Sequence, residues 1–331
     1  MVDAEWAMLA DPIARRDCLT LLAGTLAQPL RAEGFPSKPV TLIVPFAPGG
    51  IADLTARAVA QAMAATLGQA EVVDNRPSAG SIVASQAVLS ATPDGHTLLL
   101  MSNAHAVSAT LLRKLPYDVQ KDFAPIALMA SFDLALFVNA ASRFAALAQF
   151  IAAARAQPGK LTIGSIAVGS TQHLAAELFK SRAGIDALVV PYKGTPNVLG
   201  ALRSGEIDLA VEILGPWLAQ VQGGALRALA TSSSHRAAAL PDVPTVAQAG
   251  IASFDVSSWN GLAAPARTPP AAIARLNQAA NDALLQPAVQ RQLQALGVRS
   301  EGGTPQQMAE LLAHEIARWG DVIRRARIEP Q

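Results

Sequence analysis

The stretch from Phe35 to Asp53, FPSKPVTLIVPFAPGGIAD, constrains this chain more than any other, because it reads as a short strand running into a glycine turn and then a helix. Thr41 to Val44 is rich in β-branched residues and lies between Pro39 and Pro45, as a buried first strand should. Ala47-Pro48-Gly49-Gly50 is then the turn. Gly49 and Gly50 have no Cβ, so the backbone can take positive φ and let a ligand lie on its N–H groups, while a helix beginning near Ile51 turns its positive end to the same place. The guest expected there is an anion. It is not held by a phosphate loop: no Gly-Lys-Ser/Thr follows the glycines, and the G-x-G-x-x-G dinucleotide spacing is absent.

Downstream, strand and helix patterns alternate, which predicts an α/β fold with mainly parallel sheets flanked by helices. A helix is expected over 51–67, with Asp53, Arg57 and Gln61 on one polar stripe and Gly68 ending it. Strands are expected at 72–73, 97–101, 134–138, 161–163, 187–190, 207–211 and 226–230. The tail reads as three helices, 270–285, 287–296 and 305–325, each opened by a proline, with Gly297 and Gly302-Gly303 as breaks.

Composition limits the function classes. The 331 residues, 51% hydrophobic and 15% charged, allow two domains with a large core, and a net charge near +1 leaves no basic face for nucleic acid. Arg15-Arg16 precedes the apolar-leaning run Leu19 to Ala27, with small residues at Ala27 and Ala32, the order of a cleavable export signal of general or twin-arginine type. The run is too short to span a membrane. A leader starting at Met8 is complete as well, so the start stays open between Met1 and Met8. Cys18, the single cysteine, lies inside this leader and ahead of the apolar run, where lipidation does not occur. The mature chain would carry no thiol. No metal-spaced His or acidic cluster, cofactor fingerprint or G-x-S-x-G elbow is present, although a Ser-His-Asp triad assembled in space would leave no local trace, so a hydrolase is the rival class.

The opening segment resembles that of the solute receptors of tripartite tricarboxylate transporters, the Bug-type receptors, whose mature chains begin with an aromatic-Pro-x-(Lys/Arg)-Pro segment and a P-F-x-P-G-G-x-x-D turn. Further similar segments follow in order: Asp74-Asn75-Arg76-Pro77, 93–98, 115–118, His173-Leu174-Ala175, Val190 to Gly194, 240–245 and Trp259-Asn260-Gly261-Leu262. The resemblance covers about everything after residue 34. It implies a two-lobed periplasmic binding protein-like fold (type II) with the ligand cleft between lobes: leader 1–34, first lobe 35–137, second lobe 138–254, and a return to the first lobe over 255–331. It also implies a monomeric receptor, without cofactor or catalysis, that binds a small organic carboxylate and passes it to a membrane permease. A receptor feeding a sensor would use the same binding chemistry.

The expected cleft is assembled from turns after strands. From the first lobe come Phe46, Ala47, Pro48, Gly49, Gly50 and Ile51. Asp53, in the first helical turn, reads as a structural acid paired with Arg57. Facing them would be the turn after a strand at 161–165, with Ser165, Val168, Gly169, Ser170 and Thr171, where Ser170 or Thr171 caps a helix and can share its amides with a ligand. Ile166 and Ala167 stand where the family tends to have Ser and Gly. Ser102, Asn103 and His105 are read as a polar loop on the far side, either touching the ligand or forming a turn, and His173 as a brace. Lys193 is either a positive charge near the cleft or a surface lysine. Glu212 falls at a strand end where the resemblance puts a solute-contacting Asp, and either accepts a hydrogen bond from the ligand or repels its carboxylate.

Overall fold

A computed structural model describes residues 34–330; the expected leader, with Arg15, Arg16, Cys18, Ala27 and Ala32, lies outside them. The strands are β1 (Val40–Val44), β2 (Glu71–Asn75), β3 (Thr97–Ser102), β4 (Phe123–Asn139), β5 (Thr162–Ile166), β6 (Leu188–Tyr192), β7 (Leu209–Ile213), β8 (Leu226–Thr231), β9 (Ser257–Pro265) and β10 (Arg299–Gly302). The helices are α1 (Ile51–Leu67), α2 (Ile82–Leu89), α3 (Asn103–Leu111), α4 (Leu147–Ala156), α5 (Thr171–Ala183), α6 (Thr195–Ser204), α7 (Leu214–Gln222), α8 (Pro270–Leu285), α9 (Pro287–Ala295) and α10 (Pro305–Arg325). No helix among the described residues is long and apolar enough to cross a membrane.

All ten strands form one curled sheet. The sheet is mixed rather than mainly parallel, and β4 is the reason. Its first part, up to Asp133, pairs antiparallel with β9 and β10; from Leu134 onward it pairs antiparallel with β7 and β8. One strand thus serves two half-sheets. Parallel pairing between strands is found in β2-β1-β3 of the first half and β6-β5-β7 of the second, with a single parallel bridge from Thr231 to Thr245 beyond them. The short strand expected at 134–138 is the end of β4, and β9 and β10 were not anticipated. Strand β9 hides well: Trp259, Asn260 and Gly261 follow one another at its centre, so it shows neither an alternating pattern nor a continuous apolar run.

Side-chain alternation divides the core cleanly. Leu42, Val44, Leu98, Leu100 and Leu262 face α1, α8 and α9, while Leu99, Met101 and Trp259 face the opposite layer. That opposite layer is continuous through both half-sheets, joining Val107 and Leu111 of α3 to Leu136, Phe179 and Leu209. A separate cluster around Phe137 and Trp217 fills the remaining face of the second half.

Helix limits follow local chemistry. Gly68 ends α1 at φ 70°, a left-handed value that a Cβ would penalise. Thr304 accepts the N–H of Gln307 while Gln307 reaches back to the Thr304 amide, a reciprocal cap that starts α10 beside Pro305.

Candidate functional site

The first wall is the turn between β1 and α1. Gly49 takes φ 83° and Gly50, the N-cap, takes φ −80°, so only the first of the two glycines requires a left-handed backbone. Asp53 organises the turn from inside. It is buried, accepts the Gly49 N–H at 2.9 Å, accepts Nδ2 of Asn75 at 2.8 Å and pairs with Arg57. Asn75 also donates to the Phe46 carbonyl at 3.0 Å. Burial by itself would raise the Asp53 pKa, but the bonds from Arg57, Gly49 and Asn75 outweigh it and hold the carboxyl below its usual range. The polar stripe expected for α1 is corrected here: Asp53 turns inward and spends its charge on the turn. The Gly49 amide is therefore taken. Gly50, Ile51 and Ala52 retain amides that no side chain caps among the described residues, as helix geometry leaves its first N–H groups without internal partners. Ala47, Pro48, Gly49 and Gly50 are exposed, and Phe46 and Ile51 half-buried.

The second wall is the start of α5. Ser170 is the N-cap, accepting the His173 N–H at 3.1 Å and donating to the Ile166 carbonyl. Gly169 has φ 81°, and a Cβ there would lie 2.2 Å from Leu111 of α3, so the turn of one half packs directly on a helix of the other. Val168 is exposed, while Ser165 is buried with its hydroxyl bonded to the Ile166 carbonyl. His173 is buried, and desolvation lowers its pKa.

The third segment departs from the expected loop, because it is the first turn of α3. Ser102 is its N-cap: its hydroxyl accepts the Ala104 N–H, and Nδ1 of His105 accepts the Ser102 N–H at 3.1 Å. His105 is fully buried, and desolvation pushes its pKa down to about 4, so it is a neutral brace. Asn103 instead reaches across. Its Nδ2 donates to Thr171 Oγ1 at 2.8 Å, and Thr171 Oγ1 lies 3.5 Å from the Ser258 hydroxyl of β9. Trp319 of α10 donates from Nε1 to Asn103 Oδ1 at 2.7 Å and to Glu315 at 2.8 Å. An indole N–H only donates, so it claims the oxygen of Asn103 and leaves the nitrogen for Thr171.

Glu212 lies in β7, buried, at the end from which α7 departs. Gln172 donates to it at 3.2 Å, the Ile213 N–H at 3.2 Å and the Thr195 hydroxyl at 3.2 Å. Burial is the dominant influence and raises its pKa to about 7, against the opposing pull of those three donors. Gln172 and Thr195, which hold it, open α5 and α6 and carried no signal of their own in the sequence. Lys193 is exposed and makes no hydrogen bond or ion pair among the described residues. A cavity of about 340 Å³ lies elsewhere, between α5 and α10, lined by residues such as Lys180, Arg182, Asp321 and Arg325.

The starts of α3 and α5, from opposite half-sheets, are thus joined by one hydrogen bond, with the buried Glu212 carboxyl held beside them by Gln172. Residues 55–328 match the tripartite tricarboxylate transporter family receptor, and the chain belongs to that family. It is 36% identical to the protein BugT of Bordetella pertussis over 301 residues, 90% of this chain and 92% of that one. The structure of R. palustris Rpa4515 with adipate is similar at TM-score 0.78 and 33% identity, covering 90% of this chain and all of that one. MatC from Rhodopseudomonas palustris with bound malate is similar at TM-score 0.74 and 34% identity, covering 87% of this chain and all of that one. The family and the periplasmic binding protein type of fold read from the turn segments are both borne out.

Proposed function

We propose that this chain is an extracytoplasmic receptor that takes a small organic carboxylate between the halves of its sheet and delivers it to the membrane permease of a tripartite tricarboxylate-type transporter. The observation that carries this reading is the meeting of the α3 and α5 N-termini across the Asn103–Thr171 hydrogen bond, with α1 leaving the same sheet edge after the neighbouring strand β1 and the amides of Gly50, Ile51 and Ala52 uncapped. Helix N-termini gathered at one edge of the sheet favour an anion. Adipate and malate, bound by two structural relatives, suggest the ligand class.

On this reading residues 35–137 and 255–331 form one lobe and 138–254 the other. The ligand bridges them and favours the closed state by as much as its affinity differs between open and closed forms. The receptor works as a periplasmic monomer after removal of residues 1–34, with no cofactor and no chemical step. Calorimetric titration of the purified chain with malate, adipate, succinate, citrate, glutamate and benzoate tests the reading. Binding of at least one acid supports it, and binding of none overturns it.

A further inference from the structure

Strand β9 carries polar residues where the rest of its α1-facing row is apolar. Leu262 and Ala264 pack with Leu98, Leu100 and Ala130 under α1, and alternation puts Asn260 and Ser258 on that same face. Register places Asn260 opposite Ala130 of β4 on one side and opposite Ser102, the last residue of β3, on the other. The carboxyl end of β1, beside that of β3, leads through the glycine turn into α1, whose Ala56, Val59 and Met63 cover this face. Asn260 thus lies on the sheet at the N-terminal end of α1. Ser258, two residues away on the same face, reaches within 3.5 Å of Thr171 at the start of α5. Asn260 therefore lies on β9 between its pairing with Ser102, at the start of α3, and the Ser258 contact with α5.

Asn260 is 1% exposed, and its Nδ2 has no hydrogen-bond partner among the described residues. A side-chain amide carries two N–H donors, and folded proteins seldom leave such a buried donor unpaired. The residues across the strands do not supply the partner: Ala130 has no side-chain acceptor, and the Ser102 hydroxyl is engaged in capping α3. We infer that Asn260 is a ligand-binding residue, donating from its amide nitrogen to an oxygen of the bound carboxylate on the floor of the cleft. An uncharged donor at this depth adds to the amides of Gly50, Ile51 and Ala52 without requiring a counter-charge.

This inference rests on the carboxylate-receptor reading above and deepens it, and the test separates the two. Wild type and Asn260→Leu, which keeps similar bulk and removes the donor, are titrated calorimetrically against malate, adipate, succinate, citrate, glutamate and benzoate, and melted without ligand. The expected result is that an acid bound by wild type is held at least about tenfold more weakly by Asn260→Leu. The ligand-free melting temperature should stay level or rise, because the substitution removes an unpaired donor rather than a contact. Wild type binding an acid with Asn260→Leu matching its Kd overturns this inference alone. A lower ligand-free melting temperature with unchanged Kd does the same, by making Asn260 purely structural. Wild type binding none of the six acids overturns the carboxylate reading and this inference with it. If Asn260→Leu does not fold, Asn260→Ala carries the affinity comparison, with the same weakening expected and an equal Kd overturning the inference.

Discussion

Glu212→Gln should make the ligand-free protein more stable at alkaline pH and leave it nearly unchanged near pH 4.5. The carboxyl is 1% exposed, and burial raises its pKa from 4.5 to about 7. An acid whose folded pKa is raised holds its proton in the folded chain after the unfolded chain has lost it. Stability from this group is therefore full below pH 4.5, falls as pH climbs between 4.5 and 7, and is fully lost above 7. At about 1.4 kcal/mol for each tenfold change in proton concentration, that interval corresponds to about 3 kcal/mol. Glutamine keeps the geometry. Its carbonyl can accept from Gln172 and the Ile213 N–H, and its amide can donate to the Thr195 hydroxyl, which then accepts instead of donating. The assay is denaturant unfolding of both proteins between pH 4.5 and 8.5. The gap should open from near zero to about 3 kcal/mol in favour of the variant, or on the order of 5 °C or more in melting temperature for a chain of this size. Parallel curves across the whole range, or a variant less stable than wild type at pH 8, would refute the argument that burial outweighs the three donors.

The other expectations concern the walls of the cleft. Gly50→Ala should fold normally, because Gly50 has φ −80° and its added methyl meets nothing nearer than the Ala47 carbonyl at 3.8 Å, whereas Gly49→Ala must hold φ 83° and should lose about 1 to 2 kcal/mol in urea unfolding. Equal stability of the two variants would show that the turn relaxes freely. Asp53→Asn should cost about 1 to 3 kcal/mol, since a charged acceptor for Gly49 and Arg57 disappears from a buried position; an unfolding midpoint within error of wild type would contradict that. Thr171→Val, of similar shape but without the acceptor, should leave Asn103 Nδ2 unpaired, expand the protein in small-angle scattering and weaken carboxylate binding about tenfold. An unchanged scattering profile and Kd would remove this hydrogen bond from the closing mechanism.

Local signals carried much of the architecture. Helices at Ile51–Leu67, Pro270–Leu285 and Pro305–Arg325 begin and end where glycine, proline and capping residues place them, because those effects act within one turn of chain. The glycine turn was legible for the same reason, as was the family, whose segments recur in order along the chain. The sharing of work within the turn was not legible: that Asp53 would take the Gly49 amide, and that Gly49 alone would need positive φ, depends on Asn75 arriving from β2.

What the sequence by itself determined, then, is most of the parallel strands, the first helix and the three tail helices, the anion-suited helix start after Gly50 and the class of receptor. What only the tertiary structure decided is which elements meet. The latch at Asn103 joins residues 68 and 216 positions away, and Glu212 is held by donors from two other helix starts. The conversion of Ser102 and His105 from a polar loop into a capped helix turn shows the same limit at short range, since Ser, Asn and His suit a cap and a binding loop equally. Strand β9 was hidden because its pattern is meaningful only between β3 and β4, whose register sets Asn260 opposite Ser102 and Ala130. Pairing across a sheet joins residues far apart in the chain, and no pattern within one strand encodes its neighbours.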